Sequence, residues 1–341
     1  MPPWMTFLAG TDRHPDIDDI RAAANRLQGV AVRTPLLEFD RLNNLAGGRV
    51  LLKCEMFQPI GAFKIRGAWN MVSQLPENER KNGVIAYSSG NHAQAVAWSA
   101  RKMEIPATIV MPADAPKVKI ANTRKLGANV VLYDRTGEDR EAIAAEISDD
   151  TGAVIVPPYD HADIIAGQGT IGLEIAEDLE AASVRPDVVA VPCSGGGMIA
   201  GCAITLKHAF PGSGIYAAEP EGFEDTARSL AQGERVTNPE NSQSICDSLL
   251  VQTPGELTFD INRKLLSGGV AVSNSDVEAA IRAAFSDARL VTEPGGAAGL
   301  AAVLSGKLDC AGKTTCVVLS GGNADAKLFS RIVGAEPGAR N

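Results

Sequence analysis

The sequence predicts an α/β fold made of two open parallel sheets, each with helices on both faces. Short apolar runs rich in β-branched residues alternate with helical patterns through most of the 341 residues. Strands separated by helices of about 10–15 residues are typical of right-handed βαβ units, and such units build parallel sheets. Proline or glycine ends several of these runs, as expected for strands and helices of this class.

The predicted elements follow one another in a regular order. The strands of the first half cover residues 50–54, 83–87, 107–111, 129–133 and 153–156. The helices between them cover residues 64–75, 91–102, 116–126 and 139–149. In the second half, strands at 187–191, 214–218 and 315–319 alternate with helices in the same way. Pro112 and Pro157 end two of the strands, and Gly127 ends a helix.

The stretch Pro157-Pro158-Tyr159-Asp160 is the predicted crossing between two domains. We expect a small domain over residues 83–156. The large, cofactor-binding domain then combines residues 12–80 with residues 157–330. Residues 1–11 and 331–341 are expected to be terminal extensions, the second of them loosely ordered.

The composition excludes several functions. There are 32 basic and 41 acidic residues, a net charge of −9, which argues against nucleic-acid binding. No apolar run approaches the roughly 18 residues of a membrane span, and the N-terminus lacks a basic signal-peptide region. The six cysteines form no C-x-x-C pair, which favours buried thiols in a reducing compartment. We therefore expect a cytoplasmic protein without membrane or nucleic-acid partners.

A triple-glycine turn follows the strand at 187–191. Consecutive glycines let several backbone N–H groups point at one anion, with a helix N-terminus behind them, so phosphate is the expected occupant. The alternative is that the glycines only permit a tight strand-to-helix turn. The residues of this turn are Ser194, Gly195, Gly196, Gly197 and Met198.

The same turn also fits a rival interpretation. Gly195-x-Gly197-x-x-Ala200 satisfies a loose dinucleotide-binding pattern, and Glu219 lies about 20 residues further on. This pattern predicts a nicotinamide-dependent dehydrogenase. It is weak by itself, and it leaves three other unusual segments unexplained.

The first of these segments contains a lysine at the start of a helix. Lys64 follows Gly61-Ala62-Phe63, and the positive end of the helix dipole favours its neutral, nucleophilic form. A neutral lysine is what a Schiff base with an aldehyde cofactor requires. For an isolated lysine, a solvated side chain would be the ordinary interpretation.

The other two segments also follow strands. One offers hydroxyls, an amide and backbone donors that suit a carboxylate, although Ser88 or Ser89 could instead cap the next helix. Its residues are Ser88, Ser89, Gly90, Asn91 and His92. The second segment, Ser320-Gly-Gly-Asn323, ends the last strand and offers a neutral hydroxyl.

Together with Glu293-Pro-Gly-Gly296, these segments resemble the fold-type-II pyridoxal-phosphate enzymes, whose fold is that of the tryptophan synthase β subunit. Within that group, the chain is most similar to the threonine/serine dehydratases and serine racemases. The resemblance extends from about residue 17 to about residue 329. It implies that the cofactor lies between the two domains and that the protein is a homodimer.

The resemblance implies a role for each matched residue. Lys64 would form the Schiff base, with Phe63 beside the pyridine ring, and Asn91 would donate to the ring oxygen. Residues 194–198 would hold the phosphate. Ser320 would meet the pyridine nitrogen and leave it largely unprotonated, which favours β-elimination over transamination.

The implied reaction is the conversion of a β-hydroxy amino acid to a 2-oxo acid and ammonia. Threonine, serine and 3-hydroxyaspartate are the substrates that this predicts. The substrate carboxylate would sit on residues 88–92, and Lys64 would remove the α-proton as general base. Ile60, Tyr159 and Ser248 are expected to shape the side-chain pocket.

Three alternatives stay open at this point. Ser89 matches the racemases' second acid–base residue, so serine racemase with side elimination is one of them. Pro59-Ile60 and Tyr159 differ from the animal racemases and favour a dehydratase. The other two are the dehydrogenase and a catalytically silent scaffold.

A divalent cation site is also implied by the resemblance. Glu219 and Asp225, with the carbonyl of Phe223, match positions that bind such a cation in this family. Carboxylate and carbonyl oxygens suit Mg²⁺ or Ca²⁺. The alternative is two solvated acids.

Overall fold

The computed structural model describes residues 13–115 and 117–335. The predictions for residues 1–11 and 336–341 lie outside this described part, as does Pro116 at the start of one predicted helix. In the residues that are described, no helix is both long and apolar enough to cross a membrane. All six cysteines are buried and free of disulfides.

The larger of two sheets has six strands in the order β1-β2-β10-β7-β8-β9. Five of them are parallel, and β1 pairs antiparallel with β2 at the edge. The larger sheet is therefore parallel, as predicted, except for this edge strand, which was not predicted. Neither β1 nor β9 could be predicted from an apolar run. β1 has only three residues, and β9 is rich in glycine. The strands are β1 Leu36–Glu38, β2 Arg49–Cys54, β7 Val188–Pro192, β8 Gly214–Pro220, β9 Gly268–Val272 and β10 Thr314–Leu319.

The smaller sheet has four parallel strands in the order β5-β4-β3-β6, and all four were predicted. Its strands are contiguous in the chain and are inserted between β2 and β7 of the larger sheet. The α/β class with two domains is thus confirmed. The strands are β3 Val84–Tyr87, β4 Ala107–Pro112, β5 Asn129–Tyr133 and β6 Val154–Ile155.

Helices cover both faces of the two sheets. The longest described helix, α8, has 20 residues and was not predicted as an element. The helices are α1 Ile17–Leu27, α2 Asp40–Ala46, α3 Ile65–Val72, α4 Glu77–Arg80, α5 Asn91–Met103, α6 Lys117–Lys125, α7 Arg140–Thr151, α8 Ala162–Ala181, α9 Gly197–Ala209, α10 Asp225–Gln232, α11 Glu256–Leu265, α12 Asn274–Ala288, α13 Pro294–Leu304 and α14 Ala326–Gly334.

The last helix corrects the predicted C-terminal extension. The side chain of Asp325 accepts from the N–H groups of Lys327 and Leu328, which caps α14 at its start. Ile332 is buried in the core of the large sheet. This capping and burial extend order to Gly334, so residues 331–334 are helical and not loosely ordered.

A buried ion network anchors α3, the helix that Lys64 precedes. Arg66 donates to both carboxylate oxygens of Glu55, at 2.8 Å each, and to Glu174 on α8. Lys53 on β2 donates to the same Glu174 at 2.6 Å. Because buried charges must be paired, this network holds α3 against the large sheet and α8.

Candidate active site

A cleft of about 1020 Å³ lies where the two sheets meet, and all four unusual segments line it. The C-terminal ends of β3, β7 and β10 carry three of these segments, and the turn before α3 carries the fourth. The structure thus brings the predicted cofactor and substrate residues to one place. Those residues are Phe63, Lys64, Ser88, Ser89, Gly90, Asn91, His92, Ser194, Gly195, Gly196, Gly197, Met198 and Ser320.

Lys64 lies partly buried in this cleft, directly before the first residue of α3. Its Nζ donates to the carbonyl oxygen of Pro158 at 2.5 Å and lies 5.1 Å from the centre of the Phe63 ring. Desolvation lowers the pKa of Lys64 to about 8. An amine with such a pKa is neutral in a useful fraction near neutral pH, so it can act as a nucleophile or base.

The triple-glycine turn runs from the end of β7 into α9. Gly196 has a φ of +92°, the left-handed region that glycine favours. A Cβ on Gly195 would lie 2.4 Å from the ring of Tyr159, so Tyr159 packs directly against the glycine backbone. The turn is therefore more than a flexible connection, because its shape and its packing both require glycine.

Two residues that the sequence did not indicate hold this turn in place. Thr258 donates to the carbonyl oxygen of Gly195 at 2.6 Å, and Asn262 donates to that of Gly196 at 3.4 Å. In the described part of the chain, the N–H groups of Gly195 and Gly196 have no protein acceptor. Next to them begins α9, whose first N–H groups also lack intrahelical partners. The turn thus presents donors for an anion.

Thr258 and Asn262 lie four residues apart on one face of α11. The local sequence pattern does not show which loop that face contacts, so these two residues could not be predicted.

Replacing Thr258 by Val should lower the free energy of unfolding by about 1 kcal/mol, because the carbonyl of Gly195 loses its shortest hydrogen bond. Urea unfolding followed by fluorescence measures this change. Thr253→Val is the matched control, since Thr253 bonds only to Thr237 at the surface. An equal effect of both substitutions would contradict the role given to Thr258.

The segment 88–92 leads from β3 into α5, and Gly90 is the residue that precedes this helix. No side chain caps the helix, so the alternative that Ser88 or Ser89 serves as its cap is wrong. Ser88 accepts from the N–H of Gly90 at 3.2 Å. The hydroxyl of Ser89 has no protein partner among the residues described. An uncapped helix N-terminus beside a free hydroxyl suits a carboxylate.

His92 belongs to this segment, and its side chain bonds to the protein backbone. Its Nε2 lies 2.8 Å from the carbonyl oxygen of Val156, which requires the proton on that nitrogen. Burial lowers the pKa of His92 to about 3, and Lys64 contributes to this shift. The ring is therefore neutral, and its Nε2 is used within the protein.

Ser320 and Glu293 also line the cleft, close to the Lys64 segment. Ser320 is 5% exposed, and its carbonyl oxygen accepts from the N–H of Phe63 at 3.0 Å. Its hydroxyl has no protein partner within the described ranges. Glu293 accepts from the side chain of Asn91 at 2.6 Å. The motif Glu293-Pro-Gly-Gly296 contributes to the family resemblance, but it does not by itself predict a role for Glu293.

A comparison with protein families decides what this cleft belongs to. The family model for pyridoxal-phosphate dependent enzymes matches residues 27–321. The chain belongs to that family. The family membership confirms the cofactor and the fold-type-II assignment drawn from the motifs. It also rules out the dehydrogenase and the non-enzymatic scaffold as primary interpretations.

Similar proteins carry three related activities in their names. The L-threonine ammonia-lyase of Thermotoga maritima is 43% identical over 93% of this chain and 78% of its own. The L-threo-3-hydroxyaspartate ammonia-lyase of Saccharomyces cerevisiae is 39% identical over 95% of this chain and 98% of its own. Among solved structures, maize serine racemase has a TM-score of 0.88 at 35% identity, covering 94% of this chain and 97% of its own.

The cleft of this pyridoxal-phosphate enzyme fits its cofactor. The glycine turn offers unpaired N–H donors for a phosphate, and Lys64 offers an amine of lowered pKa for an aldehyde. The dehydrogenase interpretation needs Glu219 as a free acid at the cofactor, but this side chain is already used within the protein. Both oxygens of Glu219 accept from backbone N–H groups at the start of α10, and the side chain is fully buried.

The three predicted metal ligands, Glu219, Phe223 and Asp225, do not line the cleft. Burial, and then the charge of Asp225, raises the pKa of Glu219 to about 8. Burial raises the pKa of Asp225 to about 6. Oδ1 of Asp225 accepts from Asn238 at 2.7 Å, whereas its Oδ2 is buried without a partner. Glu219 and Asp225 are fully buried, so the alternative of two solvated acids is wrong.

Proposed function

We propose that this enzyme is an ammonia-lyase that converts a β-hydroxy amino acid to a 2-oxo acid and ammonia. The observation that carries this proposal is the Lys64 amine, of lowered pKa, in the same cleft as the triple-glycine turn and the 88–92 segment. The names of the similar proteins support the same class of reaction. L-threonine, L-serine and 3-hydroxyaspartate are the proposed substrates.

Each group of cleft residues has a proposed task. Pyridoxal phosphate, when bound, supplies an aldehyde that condenses with amines and a ring that makes the α-hydrogen acidic. Residues 194–198 hold its phosphate, Lys64 its aldehyde carbon, and Phe63, Asn91 and Ser320 its ring. The N-terminus of α5 and the hydroxyls of Ser88 and Ser89 bind the substrate carboxylate.

The proposed proton transfer uses Lys64. Its neutral Nζ takes the α-proton, and the electrons of the Cα–H bond form the Cα–Cβ double bond while the β-hydroxyl leaves with its bonding pair. The α-proton then passes from Lys64 to the leaving hydroxide, so that water departs. The resulting enamine tautomerises to an imine, and water hydrolyses this imine, so the net products are the 2-oxo acid and ammonium.

Serine racemase is the second candidate, because Ser89 has a free hydroxyl facing the cleft and one similar structure is a serine racemase. Racemisation needs a second acid–base group on the other face of the α-carbon. No basic side chain contacts the Ser89 hydroxyl in the described residues, which favours elimination over racemisation.

The test of the function is a substrate panel with the purified holoenzyme. We expect 2-oxo acid and ammonia in equal amounts from one or more of L-threonine, L-serine and 3-hydroxyaspartate. Chiral analysis of the remaining serine separates the two candidates. D-serine formed faster than the 2-oxo acid would assign the enzyme as a racemase, and no product from any of the three would overturn the lyase.

We also propose a divalent cation site at Glu219, Asp225 and the carbonyl of Phe223. The unpaired, buried Oδ2 of Asp225 beside a second buried acid supports it, because a cation would satisfy that oxygen and offset the like charges. The described residues contain no cluster of three His, Cys, Asp or Glu side chains that could hold a metal ion. The proposed site has two such side chains, and its third ligand is a backbone carbonyl.

Adding millimolar Mg²⁺ or Ca²⁺ to chelator-treated protein should raise Tm by about 2–4 °C, because a ligand that binds only the native state stabilises it. Differential scanning fluorimetry measures this shift. Asp225→Asn should abolish it, whereas Glu221→Gln, a change at an exposed acid two residues after Glu219, should keep it. A Tm that the cations leave unchanged would contradict the site.

We propose three further features. Free, buried thiols suit a reducing compartment, so we propose a cytoplasmic enzyme. Exposed Phe57, Phe285 and Val291 are 43–48% accessible, which supports a homodimer that covers them. For the domains, we propose a small domain over residues 83–156, inserted between the two parts of the large domain, residues 12–80 and 157–330. Light scattering tests the dimer.

A further inference from the structure

The Asn91 side chain is held from two sides by residues of the large domain. Its Nδ2 donates to Oε1 of Glu293 at 2.6 Å, and its Oδ1 accepts from Nδ2 of Asn323 at 2.8 Å. Nδ2 of Asn323 also donates to the carbonyl oxygen of Ile60 at 2.9 Å. The four groups form one chain of hydrogen bonds, Ile60–Asn323–Asn91–Glu293, along the cleft wall.

The two ends of this chain dictate its direction. A backbone carbonyl and an ionised carboxylate can only accept hydrogen bonds, whereas each amide both donates and accepts. Asn323 must therefore turn its NH₂ to Ile60 and Asn91, and Asn91 must turn its NH₂ to Glu293. Both hydrogens of Asn323 are then used, while Asn91 keeps one N–H that is not committed to the chain.

Glu293 is buried and closely packed beside Gly321. It is 5% exposed, and its Oε1 lies so close to Gly321 that a Cβ there would be 2.2 Å away. Burial raises the pKa of Glu293 to about 7, while the hydrogen bond from Asn91 opposes this rise. Asp247 and Lys119, which form an ion pair at 2.6 Å, are the charged neighbours that act on it.

We propose that Glu293 is a positioning residue that keeps Asn91 a hydrogen-bond donor toward the ring oxygen of pyridoxal phosphate. This inference rests on the proposed role of Asn91 at that oxygen. The ring oxygen carries negative charge in the bound cofactor, so a fixed N–H donor stabilises it. A group at position 293 that can itself donate would let Asn91 rotate its carbonyl oxygen toward that charge.

The decisive substitution is Glu293→Gln, which keeps the shape but adds an NH₂ donor. Losing a hydrogen bond to a charged group costs about 1.5 kcal/mol, so the affinity of the apoprotein for pyridoxal phosphate should fall about 10-fold. The pH midpoint of the bound cofactor's visible absorbance should move by about one unit. Lys64 should still carry the cofactor after borohydride reduction. The affinity is measured about 1.5 pH units above the pKa of Glu293, where the acid is ionised, and the midpoint comes from a pH titration of the absorbance.

The matched control is Glu256→Gln, the same change at another acid that lines the cleft and pairs with Arg235 at the surface. It should leave cofactor affinity and the absorbance midpoint unchanged. Asn323→Leu removes the other constraint on Asn91 and should move the midpoint in the same direction, which covers the case that Glu293→Gln does not fold.

An unchanged affinity and an unchanged midpoint in a folded Glu293→Gln variant, or in Asn323→Leu where the first variant does not fold, would overturn the proposal that this hydrogen-bond chain orients Asn91. A loss of Tm alone, without a spectral change, would overturn it as well, because a merely structural residue behaves in that way. Failure of the lyase proposal is distinguishable. In that case the wild-type protein binds pyridoxal phosphate, and the substitutions change the affinity and the absorbance midpoint. The wild-type protein, however, converts none of the β-hydroxy amino acids.

Discussion

Replacing Lys64 by Ala is expected to lower kcat at least ~10³-fold, because the enzyme loses both its covalent attachment for the cofactor and its base for the α-proton. The lowered pKa of Lys64 and its place beside the glycine turn are the grounds for this magnitude. Release of 2-oxo acid from the substrate found in the panel measures kcat. The visible absorbance of the bound cofactor should be lost in parallel.

Lys119→Ala is the control for this experiment, since Lys119 is another lysine that lines the cleft and pairs with Asp247. This substitution should change kcat less than about fivefold, because an exposed ion pair contributes at most about 1 kcal/mol. A Lys64→Ala variant that keeps more than a tenth of the wild-type kcat would contradict the role of this lysine.

The second large effect is expected at the glycine turn. Gly195→Ala places a methyl group 2.4 Å from the ring of Tyr159, so that either the ring or the turn must move. Overpacking of this kind costs about 1–3 kcal/mol, which corresponds to a loss of about 10- to 100-fold in affinity for pyridoxal phosphate. Titration of the apoprotein with the cofactor measures this affinity.

Gly212→Ala is the matched glycine control, because no atom lies within 4 Å of a Cβ built there. Its affinity for pyridoxal phosphate and its Tm should equal those of the wild type. Binding of the cofactor by Gly195→Ala as tightly as by the Gly212 variant would show that the turn does not grip the phosphate.

Local sequence patterns were sufficient for much of the fold and for the main site segments. Apolar β-branched runs predicted β3 to β6, since a buried parallel strand needs nothing more than such a run. The glycines at 195–197 and Lys64 could be found because each depends on its immediate neighbours and on the strand or helix beside it. The antiparallel β1 was missed, because three residues carry too little pattern.

The contacts that orient the site could not be read from the sequence. Glu293 and Asn91 are 202 residues apart in the chain, and Thr258 and Gly195 are 63 apart. Such pairs depend on how two sheets and their helices pack, and no local period encodes that. His92 illustrates the same limit. Its place in the motif suggested a ligand, but its Nε2 bonds to the carbonyl oxygen of Val156, 64 residues further along the chain.

The central claim is that the amine of Lys64 binds the aldehyde of pyridoxal phosphate. Borohydride reduction of the holoenzyme, followed by proteolysis and peptide mass spectrometry, tests it most directly. We predict that the peptide containing Lys64 alone carries the mass of the reduced cofactor. An unmodified Lys64 peptide, or the label on a different lysine, would contradict the account.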